Sequence, residues 1–133
     1  MKVVVDTSVW SLALRRNTSL QAVPIVNQLR ELIVDERVVL LGAVRQEVLS
    51  GVRYTQQFTR LRDALRAFGD LELTIEDYEL AAELYNTCRT NGIQGANTDF
   101  LLCSVAARRG WYIMTTDKDF KSFQAYIPVS LLE

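Results

Sequence analysis

The sequence predicts an α/β fold, a three-layer sandwich around a central, mostly parallel sheet. Three observations point to it. Apolar, β-branched runs at 3–5, 38–41 and 111–114 are separated by stretches with apolar residues at three- and four-residue steps, the alternation of strands and helices that builds β-α crossovers. The strand-like runs are apolar throughout rather than alternating, as strands covered on both faces are. The 133 residues, 49% hydrophobic and 23% charged, suffice for one core, so a single domain over 1–133 is expected.

Each element follows from local pattern. Val3, Val4 and Val5 predict the first strand, and Val9, Trp10 and Leu12 a short helix after it. Val23, Val26, Leu29 and Ile33 predict a helix over 21–34, with Pro24 tolerated in its first turn. Residues 38–41 form the second strand, closed by Gly42. Val44, Val48 and Val52 mark the next helix, and Phe58, Leu61, Leu65 and Phe68 another. A brief strand is expected over 71–73. Thr74 and Asp77 then open a helix as a capping box, with Tyr78, Ala81, Ala82 and Tyr85 along one side. TNGIQGAN is the clearest loop. Residues 100–109 are apolar nearly all round up to a basic end, which predicts a central helix, and an edge strand is expected over 127–131 after Pro128.

Composition removes whole classes of chemistry. The chain has no histidine, which excludes Ser-His-Asp and Cys-His nucleophiles and His-ligated zinc. Cys88 and Cys103 are 15 positions apart with no other cysteine, so no C-x-x-C motif or disulfide scaffold is available and both are expected as small buried thiols. No apolar run approaches the length of a membrane span or a signal-peptide core, and a cytoplasmic protein is expected. Net charge is −1, but it is unevenly spread. Five Arg (45, 53, 60, 62, 66) oppose Glu47 and Asp63 over 45–66, whereas 70–83 holds six acids and no base.

The chemistry lies in the acids. In parallel sheets, sites collect at the carboxyl ends of strands. Asp6 comes one residue after the first strand, Asp117 three after Met114, Glu47 on the helix following the second strand, and Asp99 at the start of the central helix. Taken singly, Asp6 and Asp99 suit helix N-terminal caps, Glu47 an exposed flank, Asp117 a turn, and Asp119 a capping box with Thr116. Together they form a set of acids from distant segments with no histidine to serve them. Clustered carboxylates raise one another's pKa, and a hard cation such as Mg²⁺ or Mn²⁺ is the partner that keeps them ionised.

DTSVW after a valine strand, QEVL on the following unit, TDFLLCSVA after a Gly-containing loop and TTDKDF after an apolar strand resemble the PIN-domain ribonucleases, and more narrowly the VapC toxins of type II toxin–antitoxin pairs. The intervals of 41, 52 and 18 residues between Asp6, Glu47, Asp99 and Asp117 suit that family. One departure is LLC at 101–103, where the family more often has an aliphatic residue and two Ala. The resemblance carries the family's four acids over to Asp6, Glu47, Asp99 and Asp117, as catalytic residues and ligands of Mg²⁺ or Mn²⁺. Asp119 matches an accessory acid, and Thr7 beside the first acid, with Thr115 or Thr116 in the last segment, would supply hydroxyls that orient carboxylates. Arg15, Arg16, Arg45 and Arg53 are candidate phosphate contacts.

The resemblance further implies metal-assisted hydrolysis of RNA leaving a 5′-phosphate and a 3′-hydroxyl, a homodimer, and a cognate VapB-type antitoxin. The alternative within the fold is a non-catalytic PIN-like module that binds RNA or protein. A phosphatase of the haloacid dehalogenase type is disfavoured, because its second Asp is replaced by Ser8 and no Lys lies between residues 2 and 118.

Overall fold

The computed structural model describes residues 1–14 and 20–133. Its elements run β1 (Val3–Val5), α1 (Thr7–Ala13), α2 (Val23–Val34), β2 (Val38–Val39), α3 (Gly42–Leu49), α4 (Thr55–Leu65), α5 (Ile75–Thr90), α6 (Asn97–Arg109), β3 (Tyr112–Met114) and α7 (Asp119–Gln124). The strands form one parallel sheet in the order β2-β1-β3. Val3, Val4 and Val5 of the central strand are all 0% exposed. Successive strand side chains point to opposite faces, so three buried in a row require cover on both. The predicted three-layer α/β arrangement is present.

Parallel pairing brings all strand carboxyl ends to one edge. β1 leads through Asp6 into α1, β2 through Leu40 and Leu41 into α3, and β3 into the segment that carries Asp117. Asp6 N–H donates to Met114 O at 2.9 Å, which ties the exits of β1 and β3 together one residue past the strand. The central helix is α6, with Phe100, Leu102, Cys103, Ser104, Val105 and Ala106 buried. It stops at Gly110, whose φ of 69° lies in the left-handed region. Both cysteines are free and buried, and burial pushes both thiols above their ordinary pKa.

The start of α5 is fastened to the end of α6. Thr74 and Asp77 form the predicted capping box: Asp77 N–H donates to Thr74 Oγ1 at 3.3 Å, and Thr74 N–H donates to Asp77 Oδ2 at 2.9 Å. Arg108 donates to Asp77 Oδ1 at 2.6 Å, and Arg109 donates to both Asp77 oxygens at 2.8 and 2.9 Å. The Arg109 guanidinium is the main reason that the Asp77 carboxyl stays well below the usual carboxylate range. Ser104 Oγ donates to Asp77 O at 2.6 Å.

Two expected strands do not form. Over 71–73, Leu71 and Leu73 rest half-buried against the core with Glu72 exposed. The side chains thus follow strand alternation, but no backbone hydrogen bond ties the segment to β2. Over 127–131 a single parallel bridge, Ile113 with Leu131, replaces the edge strand. Pro128 has no N–H, and Val129 N–H turns back to Ile127 O at 2.9 Å, so pairing cannot propagate. Two helices also end before their last expected residue. Val52 lies beyond α3, past Gly51 with φ 82°, and Phe68 lies beyond α4. There Arg45 donates to Leu65 O and Phe68 O, both at 2.9 Å.

Candidate active site

An open cleft of about 500 Å³ lies at the carboxyl edge of the sheet, lined by Asp6, Thr7, Ser8, Ala43, Gln46, Glu47, Ser50, Asp99 and Asp117. The four acids singled out in the sequence therefore share one surface. Each arrives by a different route: Asp6 from the β1 exit, Glu47 from the middle of α3, Asp99 from the first turn of α6, and Asp117 from the loop between β3 and α7. Among the described lining residues there is no base.

Each carboxylate is anchored by one oxygen. Asp6, 5% exposed, accepts from Ser8 Oγ and Thr115 Oγ1 on Oδ2, both at 2.8 Å. Glu47 Oε1 accepts from Thr7 Oγ1 at 2.7 Å. Asp99 Oδ2 accepts from Ala96 N–H at 2.9 Å. Asp117 Oδ1 accepts from Asp119 N–H at 2.9 Å. The second oxygen of each has no hydrogen-bond partner among the described residues. Asp6 occupies the N-cap position of α1, but its side chain makes no capping bond; the two hydroxyls take that oxygen instead.

Asp99 records the electrostatics of the cleft. Its carboxyl is pushed up to about 6, first by burial and then by the charges of Asp6, Asp117 and Glu47, against the lowering effect of the Ala96 N–H. That donor is held in place from below. Gly95 lies so close to the core that a Cβ there would stand 2.6 Å from Phe123 Cζ and 2.9 Å from Phe100 Cε2. The loop can come down onto those rings only with glycine at this position.

Four anionic side chains, all oxygen donors and each with one oxygen unpaired, suit a hard divalent cation in their chemistry. Among the described residues no three acids or thiols are drawn together into a cage. Mg²⁺ needs none, since it retains several waters and is held by one or two carboxylates. The donor set fits such an ion.

The other residues singled out in the sequence are placed as follows. Thr7 and Thr115 contact the acids as described. Thr116 contributes its N–H, which donates to Ser8 Oγ at 3.1 Å. Asp119 lies outside the cleft lining, and its backbone N–H rather than its carboxylate reaches Asp117. The Thr116–Asp119 capping box is absent: Lys118 is the N-cap of α7 and makes no side-chain cap. Arg45 is turned away to the end of α4, and Arg53 lies over the Tyr54 ring at 5.6 Å. Arg15 and Arg16 lie outside the described residues. Ser8, Gln46 and Ser50 were not singled out. An Asp-x-Ser pattern in a first helical turn is a local signal that could have found Ser8, whereas nothing in residue type or spacing marks Gln46, directly before Glu47, or Ser50, the C-cap of α3 three positions after it.

Comparison with known proteins agrees with this architecture. The sequence matches the PIN domain family over residues 3–125. Among solved structures, VapBC2 from Rickettsia felis bound to a promoter DNA fragment is similar at a TM-score of 0.78 and 18% identity, covering 99% of this chain and 98% of that one. FitAcB from Neisseria gonorrhoeae is similar at 0.74 and 17%, covering 98% and 96%. VapC20 from Mycobacterium tuberculosis, a sarcin–ricin loop cleaving toxin, is similar at 0.68 and 17%, covering 96% and 98%. A comparison with curated protein sequences found no match. The match runs from the first residue of β1 through the end of α7 and so takes in all four acids of the cleft; the chain belongs to the PIN domain family.

Proposed function

We propose that this protein is a Mg²⁺- or Mn²⁺-dependent endoribonuclease acting as the toxin of a type II toxin–antitoxin pair. The observation that carries the reading is the base-free cleft lined by Asp6, Glu47, Asp99 and Asp117, each with one oxygen anchored and one unpaired. These four would surround the cation, one or two of them as direct ligands with waters completing its shell. When bound, it supplies Lewis acidity, which makes water a nucleophile near neutral pH and offsets charge on the scissile phosphate. The chain's own part is positioning. Thr7 fixes Glu47, Ser8 and Thr115 fix Asp6, and the backbone N–H groups of Ala96 and Asp119 fix Asp99 and Asp117. Without a cation, four carboxylates repel a phosphodiester, so RNA binding and metal loading are coupled by charge.

The similarity to VapBC and FitAcB structures supports a VapB-type antitoxin as the partner, and the VapC20 likeness supports RNA as the substrate. A homodimer and a cytoplasmic setting complete the reading. Among the described residues no helix is long and apolar enough to cross a membrane. The test is cleavage of a defined RNA pool by purified protein with Mg²⁺ or Mn²⁺ and with EDTA. Metal-dependent internal cuts, lost in Asp6→Asn, are the expected result. RNA binding without cleavage under all conditions would assign the chain to a non-catalytic PIN-like module.

A further inference from the structure

We infer that Ser8 is a positioning residue: it selects which oxygen of Asp6 is left for a cation and ties Asp6 to the segment that carries Asp117. The inference rests on the nuclease reading for its consequence but on geometry for its substance. Ser8 Oγ and Thr115 Oγ1 each lie 2.8 Å from Asp6 Oδ2. Each hydroxyl also has an N–H aimed at it, from Thr116 at 3.1 Å onto Ser8 and from Asp117 at 3.0 Å onto Thr115. A hydroxyl has one proton to give, and a carboxylate oxygen can only accept. Both hydroxyl protons therefore go to Asp6 Oδ2.

The two hydroxyls are themselves 3.3 Å apart. With both protons assigned, that contact is the crowding of two donors around one acceptor rather than a third bond. Oδ2 thus takes two O–H donors and Oδ1 takes none. Thr115 and the two N–H groups belong to the β3 exit, and Ser8 alone in this cluster comes from α1. Removing its hydroxyl takes one of two donors from Asp6 and leaves the Thr116 N–H without its acceptor. Of the two hydroxyls that tie the first acid to the segment carrying the fourth, only Thr115 then remains, donating to Asp6 and accepting from Asp117 N–H.

The experiment measures Mn²⁺ binding by calorimetry on the full chain at fixed pH, together with crystal structures of the metal-free proteins. Groups that orient ligands typically contribute tenfold or more to metal affinity. Ser8→Ala is expected to weaken Mn²⁺ binding roughly 10-fold, and Ser8→Thr, which keeps the hydroxyl, to restore most of it. In metal-free Ser8→Ala, the Asp6 carboxylate is expected to turn relative to Thr115. Unchanged affinity in Ser8→Ala, or a loss that Ser8→Thr does not recover, overturns the inference. If Ser8→Ala does not fold, Ser8→Cys, with a weak donor of similar size, takes its place. A wild-type protein that neither binds Mn²⁺ nor cuts RNA defeats the nuclease reading instead. The metal-free structures still decide for Ser8 in that case: Asp6 unmoved overturns its role, and Asp6 turned supports it.

Discussion

Asp77 and Asp99 occupy the same place on two adjacent helices. Each is the third residue of its helix, α5 or α6, and each accepts the N–H of the residue three positions back at 2.9 Å. Their surroundings are opposite. Asp77 is 0% exposed, is gripped by Arg108 and Arg109, and has a Thr74 hydroxyl to complete the capping box. Asp99 is half-buried, faces Asp6, Glu47 and Asp117, and has Ala96 where a reciprocating hydroxyl would be. The arginines push the first carboxyl down, and burial with like charge pushes the second up to about 6. The same local chemistry is closed in one cluster and left open in the other. The closed cluster holds α5 to α6, and the open one leaves one oxygen of Asp99 unpaired, as the proposed cation site requires.

The sharpest way to break this comparison is to neutralise members of each cluster. Asp6→Asn and Asp99→Asn are expected to lower RNA cleavage by about 1000-fold or more, ~4 kcal/mol of transition-state stabilisation, with far-ultraviolet circular dichroism unchanged. Asp77→Asn should do the reverse. It leaves two arginines without their carboxylate and is expected to cost about 3 kcal/mol in urea unfolding. That lies at the low end for breaking a buried pair, because both arginines are partly exposed. Residual folded Asp77→Asn protein should still cut RNA. Equal loss of stability in the Asp6 and Asp77 variants would remove the distinction.

Metal should sharpen it. Mn²⁺ at ten times its Kd is expected to add about 1.4 kcal/mol to wild-type stability by mass action, roughly a 3–8 °C rise in melting temperature for a domain of this size. Asp77→Asn should retain that increment and Asp99→Asn should lose most of it.

The smallest effect is one of sign. The folded pKa of Asp99, about 6, exceeds the unfolded value of about 3.9, so the folded state binds more protons between them. Wild-type stability from this group therefore falls as pH rises from about 4 to about 6. Metal-free Asp99→Asn should match wild type near pH 4 and exceed it by roughly 1 kcal/mol at pH 7, a figure reduced for the solvent around a half-buried group. Asp77 behaves oppositely. Its contribution is complete above the unfolded carboxylate value and is lost only as pH falls through its depressed folded pKa. Urea unfolding from pH 2 to pH 7 in unit steps checks both slopes.

Much of this was legible in the linear chain. The valine run of β1, the Thr74–Asp77 box and the apolar circumference of α6 are local signals, and each formed where expected. The four acids could be picked out because strand ends and helix starts are themselves local, and because a chain without histidine leaves carboxylates as its acid–base groups. Residues 71–73 and 127–131 show the limit. Their side chains follow strand patterning, but a ladder needs consecutive backbone pairings, and Pro128 together with the Val129 turn limits the second segment to the single bridge of Leu131 with Ile113.

What the sequence determined by itself was therefore residue type at local position: which segments become strands and helices, and which acids sit at their ends. Only the tertiary structure decided which acids would be paired with a base. Nothing near Asp77 in the chain announces Arg108 and Arg109, and nothing near Ser8 announces Thr115 and Thr116; those partners are 31, 32, 107 and 108 positions away. Arg45, two residues from Glu47, was drawn to the carbonyls at the end of α4 instead of the acids beside it. A charge takes its partner from whatever the packed elements bring within hydrogen-bond reach, and for groups far apart in sequence only the completed sheet and the helices around it set that distance.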